Sequence, residues 1–450
     1  MTIGRSMILA SVCAVAVAMV AAPAARAQAA GETLFQDVRI FDGKGEALSA
    51  PTSVLVRGNL IAGIGDDLTA APEATVIDGG GRTLMPGLID AHWHTMLIRQ
   101  TPEQMMFGDE GLTYLLAGAE ATATLMRGFT TVRDLGGPSF ALKQAIDMGV
   151  VPGPRIWPSG AMITVTSGHG DFRPLSELPR DGSKPLSRIE ELGGAMVVDS
   201  PDLMRQRVRE QLMRGASQIK LTAGGGVASP HSPLDVSTFT AEELRAAVEA
   251  AENWGTYVTV HAYTPAAIRR AIDAGVRVIE HAQLIDDETA QYMVEKNIWL
   301  STQPILQEFF GGMFPPGSPQ DQKSHEVTDG TDRLYQLVKK YNIKTAFGTD
   351  VLFSEAMARR QGEMLVSLKT WFTPAEILRQ ATSTNAEFLG LSGLRSPYKG
   401  KLGVIEEGAL ADILLVNGDP LANIDLLADA EHNLPLIMKD GTIFKNTLAE

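Results

Sequence analysis

Residues 85–94 read MPGLIDAHWH, and this stretch decides the fold prediction. Pro86 and Gly87 interrupt the chain before a short apolar run, and His92 and His94 follow it with one residue between them. In a β-strand, residues two apart point to the same face, so both imidazoles can approach one metal ion. Two histidines on an exposed strand would give the same pattern, so the interpretation depends on the rest of the chain.

Strand-like and helix-like segments alternate through the chain that follows. Eight candidate strands are separated by helical patterns, and this count predicts an α/β fold, a closed (β/α)8 TIM barrel. The capping boxes Thr240-Ala-Glu-Glu243 and Thr373-Pro-Ala-Glu376 each predict the start of a helix. The candidate strands are 82–91, 129–135, 155–163, 216–222, 257–263, 276–282, 297–303 and 344–350.

The two ends of the chain are β-rich and punctuated by Gly and Asp, over residues 33–80 and 400–446. They are predicted to form one small composite β-sandwich domain. The predicted organisation is a signal peptide at 1–27, the first part of the composite domain at 28–84, the barrel at 85–395 and the second part at 396–450.

Two irregular stretches interrupt the barrel pattern, at 164–200 and at 304–332. Both follow predicted strands, so they are expected to lie at the catalytic face as loops or lids. Specificity is expected from these loops and from a wall containing Phe309, Phe310 and Phe353. Aromatic residues in a lid are as often packing residues.

The first 27 residues have the features of a secretory signal: Arg5, an apolar run and a small-residue Ala25-Arg26-Ala27 site. An uncleaved anchor is the alternative, but the run is short for a membrane span. The only cysteine, Cys13, lies in this segment, so the mature chain has no disulfide. We expect a periplasmic or secreted protein.

The charge of the chain argues against polyanionic partners. Cleavage would remove two arginines and no acids, changing the formal net charge from −14 to −16. An acidic protein without a Lys/Arg cluster is not expected to bind nucleic acid, or a membrane after signal cleavage. A small molecule is the expected partner, and a homo-oligomer is an open alternative.

Polar residues also end three other predicted strands. His261 shares one face with Tyr257, Thr259 and Tyr263, while the valines between them face the helices. His281 and Asp350 end two further strands. A single such histidine is more often structural, and Asp350 is also a typical helix N-cap; together they favour a metal site, in which Asp350 would be both ligand and proton acceptor.

Lys220 is flanked by apolar residues in the sequence Gln-Ile-Lys-Leu-Thr, so it is predicted to point into the barrel. A surface lysine on an edge strand is the alternative, but a closed barrel has no edge. A buried ammonium must pair with an anion or lose its charge. Reaction of the neutral amine with carbon dioxide would give a carbamate that can bridge two cations.

The ordered set PGLIDAHWH, QIKLTAGGG, VTVHAY, VIEHAQ and FGTD resembles the amidohydrolase superfamily across nearly the whole mature chain. The end segment GALADILLVNGDPL resembles its composite sheet domain. The loop SGHGD at 167–171, Tyr263 and the export signal look like the branch of binuclear zinc carboxypeptidases and prolidase-like enzymes. Members of this branch cleave Xaa-Pro or Xaa-Lys/Arg dipeptides and N-acyl amino acids, and some hydrolyse the amide of ochratoxin A.

The resemblance implies two zinc ions as cofactors. It implies that His92, His94 and Asp350 hold one zinc, that His261 and His281 hold the other, and that N6-carboxylated Lys220 bridges them. A hydroxide shared by the two ions would attack the scissile amide next to a C-terminal carboxylate. Asp350 would pass its proton to the leaving nitrogen.

His169 and Tyr263 are the candidates for binding substrate. His169 would contact a carbonyl or a terminal carboxylate, and Tyr263 would donate a hydrogen bond to the oxyanion. A turn histidine and a structural tyrosine are the alternatives. His231 is a weaker candidate, and we expect His325 and His432 at the surface.

Two other functions are compatible with this pattern. One is a cyclic amidohydrolase of the imidazolonepropionase type, although an export signal argues against a cytoplasmic catabolic role. The other is a metal-binding protein without catalytic activity, which the retention of Asp350 beside the other predicted ligands argues against.

Overall fold

A computed structural model describes residues 31–180 and 183–448 of the chain. The predicted signal segment at 1–27 and its Cys13 lie outside the described residues. None of the helices within the described ranges is long and apolar enough to cross a membrane.

Strands occur at both chain ends and at intervals through the middle. They are β1 (Glu32–Ile40), β2 (Thr52–Arg57), β3 (Leu60–Ile64), β4 (Thr75–Asp78), β5 (Thr83–Pro86), β6 (Leu88–Trp93), β7 (Phe129–Asp134), β8 (Arg155–Pro158), β9 (Met162–Thr164), β10 (Ala195–Val197), β11 (Ile219–Thr222), β12 (Val258–Ala262), β13 (Val278–His281), β14 (Trp299–Thr302), β15 (Thr345–Phe347), β16 (Ile413–Val416), β17 (Leu436–Lys439) and β18 (Thr442–Asn446).

Helices separate the central strands. They are α1 (Pro102–Phe107), α2 (Glu110–Met126), α3 (Phe140–Asp147), α4 (Arg188–Glu191), α5 (Pro201–Arg214), α6 (Ala241–Glu252), α7 (Pro265–Asp273), α8 (Asp287–Glu295), α9 (Gln307–Phe310), α10 (Pro319–Tyr341), α11 (Glu355–Arg359), α12 (Gln361–Ser367), α13 (Pro374–Arg379), α14 (Asn385–Leu389) and α15 (Ala430–Asn433). Both predicted capping boxes are present, at the starts of α6 and α13.

The central strands form the predicted barrel. β6, β7 and β8 pair in parallel, and β11 to β15 pair in parallel in chain order. Between these two groups, the Ser217 amide donates to the Pro158 carbonyl at 2.8 Å. β9 and β10 extend the second group beside β11. The α/β TIM-barrel class is therefore confirmed.

Asn385 joins the first and last barrel strands. Its Oδ1 accepts the amide of Phe347 at 3.0 Å, and its Nδ2 donates to the carbonyls of Ile89 and Phe347 at 2.7 and 2.8 Å. The Asp350 amide continues the contact by donating to the His92 carbonyl at 2.8 Å. One buried side chain thus satisfies backbone groups on both sides of this junction.

Side-chain alternation along the strands separates two apolar layers, and the sequence predicted the outer one. Ile219, Leu221, Val258 and Val260 pack outward in one large cluster with residues of the surrounding helices. The second layer fills the barrel interior and contains Ala91, Tyr257, Val278, Trp299, Ala346 and Phe388. Polar residues nearer the ends of these strands lie at the carboxyl end of the barrel.

The two chain ends meet in one folded sheet with the strand order β18-β17-β16-β5-β1-β2-β3, and β4 pairs with β1. Its strands share a buried apolar cluster that includes Val54, Ile61, Ile413 and Leu436. This is the predicted composite domain. The boundaries proposed for it stay a prediction.

Four segment predictions need correction. The candidate strand 82–91 is two strands, β5 and β6, separated at Gly87, and the candidate strand 155–163 is divided into β8 and β9. The stretch 164–200 is not wholly irregular, since it contains β10 and α4. The stretch 304–332 contains α9 and the first turns of α10, because Ser318 caps a helix with Pro at its first position.

Candidate metal centre

Three predicted ligands converge where β6 and β15 end. Asp350 Oδ1 lies 2.9 Å from His94 Nε2 and 3.1 Å from His92 Nε2. Both imidazoles are buried, and the Asp350 side chain is 19% exposed. Burial alone would raise the pKa of Asp350, but His92 and His94 hold it well below its usual value. The carboxylate is therefore ionised.

The hydrogen bonds of His92 show that a cation fits between these groups. His92 Nδ1 lies 2.8 Å from Glu280 Oε2 and donates to it. Burial would lower the pKa of His92, but the charges of Asp350 and Glu280 raise it, which favours a proton on Nε2 that pairs with Asp350. A metal cation would replace this proton, because Nε2 of the deprotonated ring presents its lone pair toward the same Asp350 oxygen. His92, His94 and Asp350 would hold such a cation, which would supply a Lewis acid at this position.

Glu280 is held ionised in the barrel interior. Its Oε1 accepts from Arg133 Nη2 at 2.7 Å and from the Thr259 hydroxyl, and both charged side chains are fully buried. Burial would raise the pKa of Glu280, but the charges of Arg133 and His92 hold it well below its usual value. Glu280 thus fixes the tautomer and orientation of His92.

The other two histidines are oriented in the same way. His261 Nε2 donates to the carbonyl of Gly225 at 2.8 Å, which leaves Nδ1 with its lone pair. His281 Nδ1 lies 2.8 Å from Gln303 Oε1 and donates to it, which leaves Nε2. Burial lowers the pKa of both rings well below the usual value, so both are neutral, as metal ligands must be.

The direction of the His281 side chain does not follow strand alternation. Strand alternation places Ile279 and His281 on the same face, and Ile279 packs outward in the helix-facing layer. The backbone of His281 and Ala282 is left-handed, with φ of 77° and 67°. This change of backbone conformation ends the alternation and turns the His281 ring inward, 4.3 Å from the His261 ring.

Lys220 lies on β11 between two outward-packed residues and is buried, as predicted. Burial lowers its pKa to about 8, opposed by the charges of Glu280 and Asp350. Among the described residues it makes no direct ion pair with either acid. An interior lysine is expected to have an anion nearby. Glu280 and Asp350 supply this negative charge without an ion-pair contact to Lys220.

The two substrate-binding candidates lie beside the histidine cluster. The His169 ring is 4.3 Å from the His261 ring, and the Tyr263 ring is 4.8 Å from it on another side. His169 Nδ1 lies 2.9 Å from Ser229 Oγ, and burial lowers the His169 pKa to about 3. Burial raises the pKa of Tyr263, whose hydroxyl is therefore a donor at neutral pH.

The remaining histidines are not part of the cluster. His231 is exposed and contributes only its carbonyl, which accepts from the Ser167 hydroxyl at 2.7 Å. The side chains of His325 and His432 are 54% and 75% exposed, as expected for surface residues.

A cavity of about 540 Å³ opens above the cluster. Its floor contains the six predicted ligands together with His169 and Tyr263. Its wall is mainly apolar, and Lys220 and Asp350 are its only Lys, Arg, Asp or Glu residues within the described ranges. The aromatic and methionine residues of the wall are Met105, Met162, Phe172, Phe309, Phe310, Met313, Phe314, Phe353 and Met357.

The residues that orient the predicted ligands were not among the sequence predictions. Glu280 and Arg133 alternate with outward-packing residues on β13 and β7, so the reasoning applied to Lys220 would have placed both in the barrel interior. Gln303 follows the last residue of β14, where a polar residue faces the site. Ser229 lies in an irregular loop and had no comparable signal.

The fold is a parallel β/α barrel, and a buried cluster of histidines, a lysine and an aspartate lies at its carboxyl end. This combination is typical of a barrel hydrolase with a metal centre. The model of the amidohydrolase family matches residues 83–443, and the chain belongs to this family of metal-dependent enzymes.

Known relatives agree with the prolidase-like branch. Ochratoxinase from Aspergillus niger is 29% identical over 378 residues, which cover 80% of this chain and 75% of that protein. A crystal structure of a prolidase complexed with N-methylphosphonate-L-proline is 34% identical, with a TM-score of 0.84, and the match covers 92% of this chain and 100% of that chain. Imidazolonepropionase from Deinococcus radiodurans is 28% identical over 383 residues, covering 81% of this chain and 85% of that protein.

Proposed function

We propose that this protein hydrolyses a peptide-like amide next to a C-terminal carboxylate, in a dipeptide or an N-acyl amino acid. The observation that carries the proposal is the ionised Asp350 carboxylate, in contact with His92 and His94 on the floor of a largely apolar cavity. The relatives named ochratoxinase and prolidase support an amide of this kind. Ochratoxin A is therefore one candidate substrate.

The proposed ligand set is binuclear. His92, His94 and Asp350 would hold one zinc ion, His261 and His281 the other, and carboxylated Lys220 would bridge them. The free lone pairs of His261 and His281 support this assignment, and the contact with Glu280 directs Nε2 of His92 toward Asp350. When bound, the two ions would supply Lewis-acid polarisation of the amide carbonyl and acidification of the attacking water.

The residues of the chain would move the protons and orient the substrate. Asp350 would accept a proton from the attacking water and transfer it to the leaving nitrogen. In the hydrogen-bond arrangement assigned here, Ser229 accepts from the Gly170 amide and donates to His169 Nδ1, which leaves His169 Nε2 as a donor. This donor would bind the substrate carbonyl or carboxylate, and the Tyr263 hydroxyl would stabilise the oxyanion.

Substrate profiling of the purified, zinc-loaded protein tests the proposal. Xaa-Pro and Xaa-Lys dipeptides, N-acetyl-Phe and ochratoxin A are compared under identical conditions, and the bound metal is measured by elemental analysis. We expect about two zinc ions per chain and hydrolysis of at least one of these amides. Zinc binding without hydrolysis of any of them would contradict the substrate class.

A second candidate function is the opening of a cyclic amide, which the imidazolonepropionase relative favours. Imidazolone propionate in the same assay separates the two functions. The wide apolar wall favours the first one, because a small, charged ring leaves most of that wall without contacts.

We also propose that the mature protein is periplasmic or secreted, on the strength of the segment at 1–27. N-terminal sequencing of protein exported from a bacterial host tests this. A start at residue 28 is expected, and an intact N-terminus in the cytoplasm would contradict it.

A further inference from the structure

One loop after β11 contacts both histidines on its side of the cavity. This segment, 224–232, is called the histidine loop below. The Gly225 carbonyl accepts from His261 Nε2, and Ser229 Oγ lies 2.9 Å from His169 Nδ1. Gly226 packs directly against the His169 ring, since a Cβ atom there would lie 2.0 Å from Nδ1. The loop therefore contacts both rings directly.

Lys323 holds the histidine loop from the opposite side. This residue lies in the second turn of α10 and donates from Nζ to the carbonyls of Gly226, Ser229 and Ser232 at 2.7, 2.8 and 3.1 Å. An ammonium group has three donors, and all three are used on one loop. Burial lowers the pKa of Lys323, and no carboxylate among the described residues shares its charge. Three carbonyl dipoles alone compensate this half-buried cation.

The same helix also forms part of the cavity wall. Ser324 and Val327, one residue and one turn beyond Lys323, both line the cavity. The Lys323 contacts therefore connect a wall that substrate would touch with the loop that orients His261 and His169.

We propose that Lys323 is a positioning residue that fixes the histidine loop against α10, so that His261 presents Nδ1 and His169 faces the cavity. The contribution to zinc binding and turnover rests on the proposed function, whereas the restraint on the loop does not. Lys323 neither lines the cavity nor hydrogen-bonds a proposed ligand, so it would act through the loop carbonyls.

Hydrogen exchange in the metal-free protein tests the restraint itself. The variant is Lys323→Met, which keeps the apolar stem and removes the three donors. The control is Lys340→Met, the same change on an exposed residue of the same helix, which is paired with Asp287. We expect peptides covering 224–232 to exchange at least about tenfold faster in Lys323→Met only. Unchanged exchange would overturn the proposal, whatever reaction the enzyme catalyses.

Zinc affinity and kinetics test the consequence. Competition with a chelator is expected to show zinc affinity about 10–100-fold lower in Lys323→Met, with kcat reduced and Lys340→Met unaffected. Lys323→Gln, which keeps two donors, should recover part of the loss and serves as the test if the Met variant does not fold. Faster loop exchange with unchanged zinc affinity and kcat would overturn the positioning role. A wild-type protein that binds no zinc would instead contradict the proposed function.

Discussion

Glu280 Oε2 lies 2.8 Å from His92 Nδ1, with both side chains buried, so a second carboxylate orients the first histidine of the HxH pair. The other oxygen of Glu280 binds Arg133, whose guanidinium also donates to the Ala91 carbonyl and the Tyr257 hydroxyl. The network therefore ties the orientation of His92 to the interior of the barrel.

Glu280→Gln tests this orientation. Gln keeps the shape of Glu280 but cannot accept the His92 proton as strongly, and it leaves Arg133 without its counter-charge. We expect zinc affinity about 10–100-fold lower and a free energy of unfolding lower by roughly 3–5 kcal/mol. Chelator competition and urea denaturation measure the two effects. Glu243→Gln in the α6 capping box is the control, since Gln also serves there. Unchanged zinc affinity in Glu280→Gln would exclude the orienting role.

Asn385→Ala tests the closure of the barrel. The substitution leaves the amide and carbonyl of Phe347 and the carbonyl of Ile89 without their side-chain partner. Because these groups are buried, we expect the free energy of unfolding to fall by about 2–4 kcal/mol. The exposed Asn253→Ala should stay within about 0.5 kcal/mol of the wild type in the same denaturation experiment. Equal stability of the two variants would show that the junction does not depend on Asn385.

Phe310→Ala tests the apolar wall. Phe310 lines the cavity, whereas Phe107 is 87% exposed and lies outside it, which makes Phe107→Ala a matched control. If the wall holds an aromatic part of the substrate, KM for N-acetyl-Phe should rise about tenfold, the equivalent of about 1.4 kcal/mol. A dipeptide with a small side chain should be affected less. Parallel changes for both substrates would argue against contact between Phe310 and the aromatic group.

The barrel and the inward direction of Lys220 could be predicted because strand alternation is a local property. Lys220 shows why: its apolar neighbours pack outward on the helices, so Lys220 must point inward. The same logic applied to Glu280 would have found the partner of His92.

Other features depend on conformation that the sequence pattern does not determine. The left-handed backbone at His281 reverses the direction that alternation assigns to its side chain. The contact of Ser229 with His169 joins two irregular loops distant in sequence. The start of α10 had a usable signal, Ser318 followed by Pro319, but the surrounding Gly and Pro residues favoured a loop prediction.

Turnover and zinc content of Asp350→Asn test the central claim most directly, namely that Asp350 moves a proton during amide hydrolysis. Asn can still coordinate but cannot accept the proton. At saturating zinc we expect the variant to retain its metal while kcat falls by about 10²–10⁴-fold. Asp329→Asn, on the exposed face of α10, should behave as the wild type. A zinc-loaded Asp350→Asn protein with wild-type turnover would contradict the account.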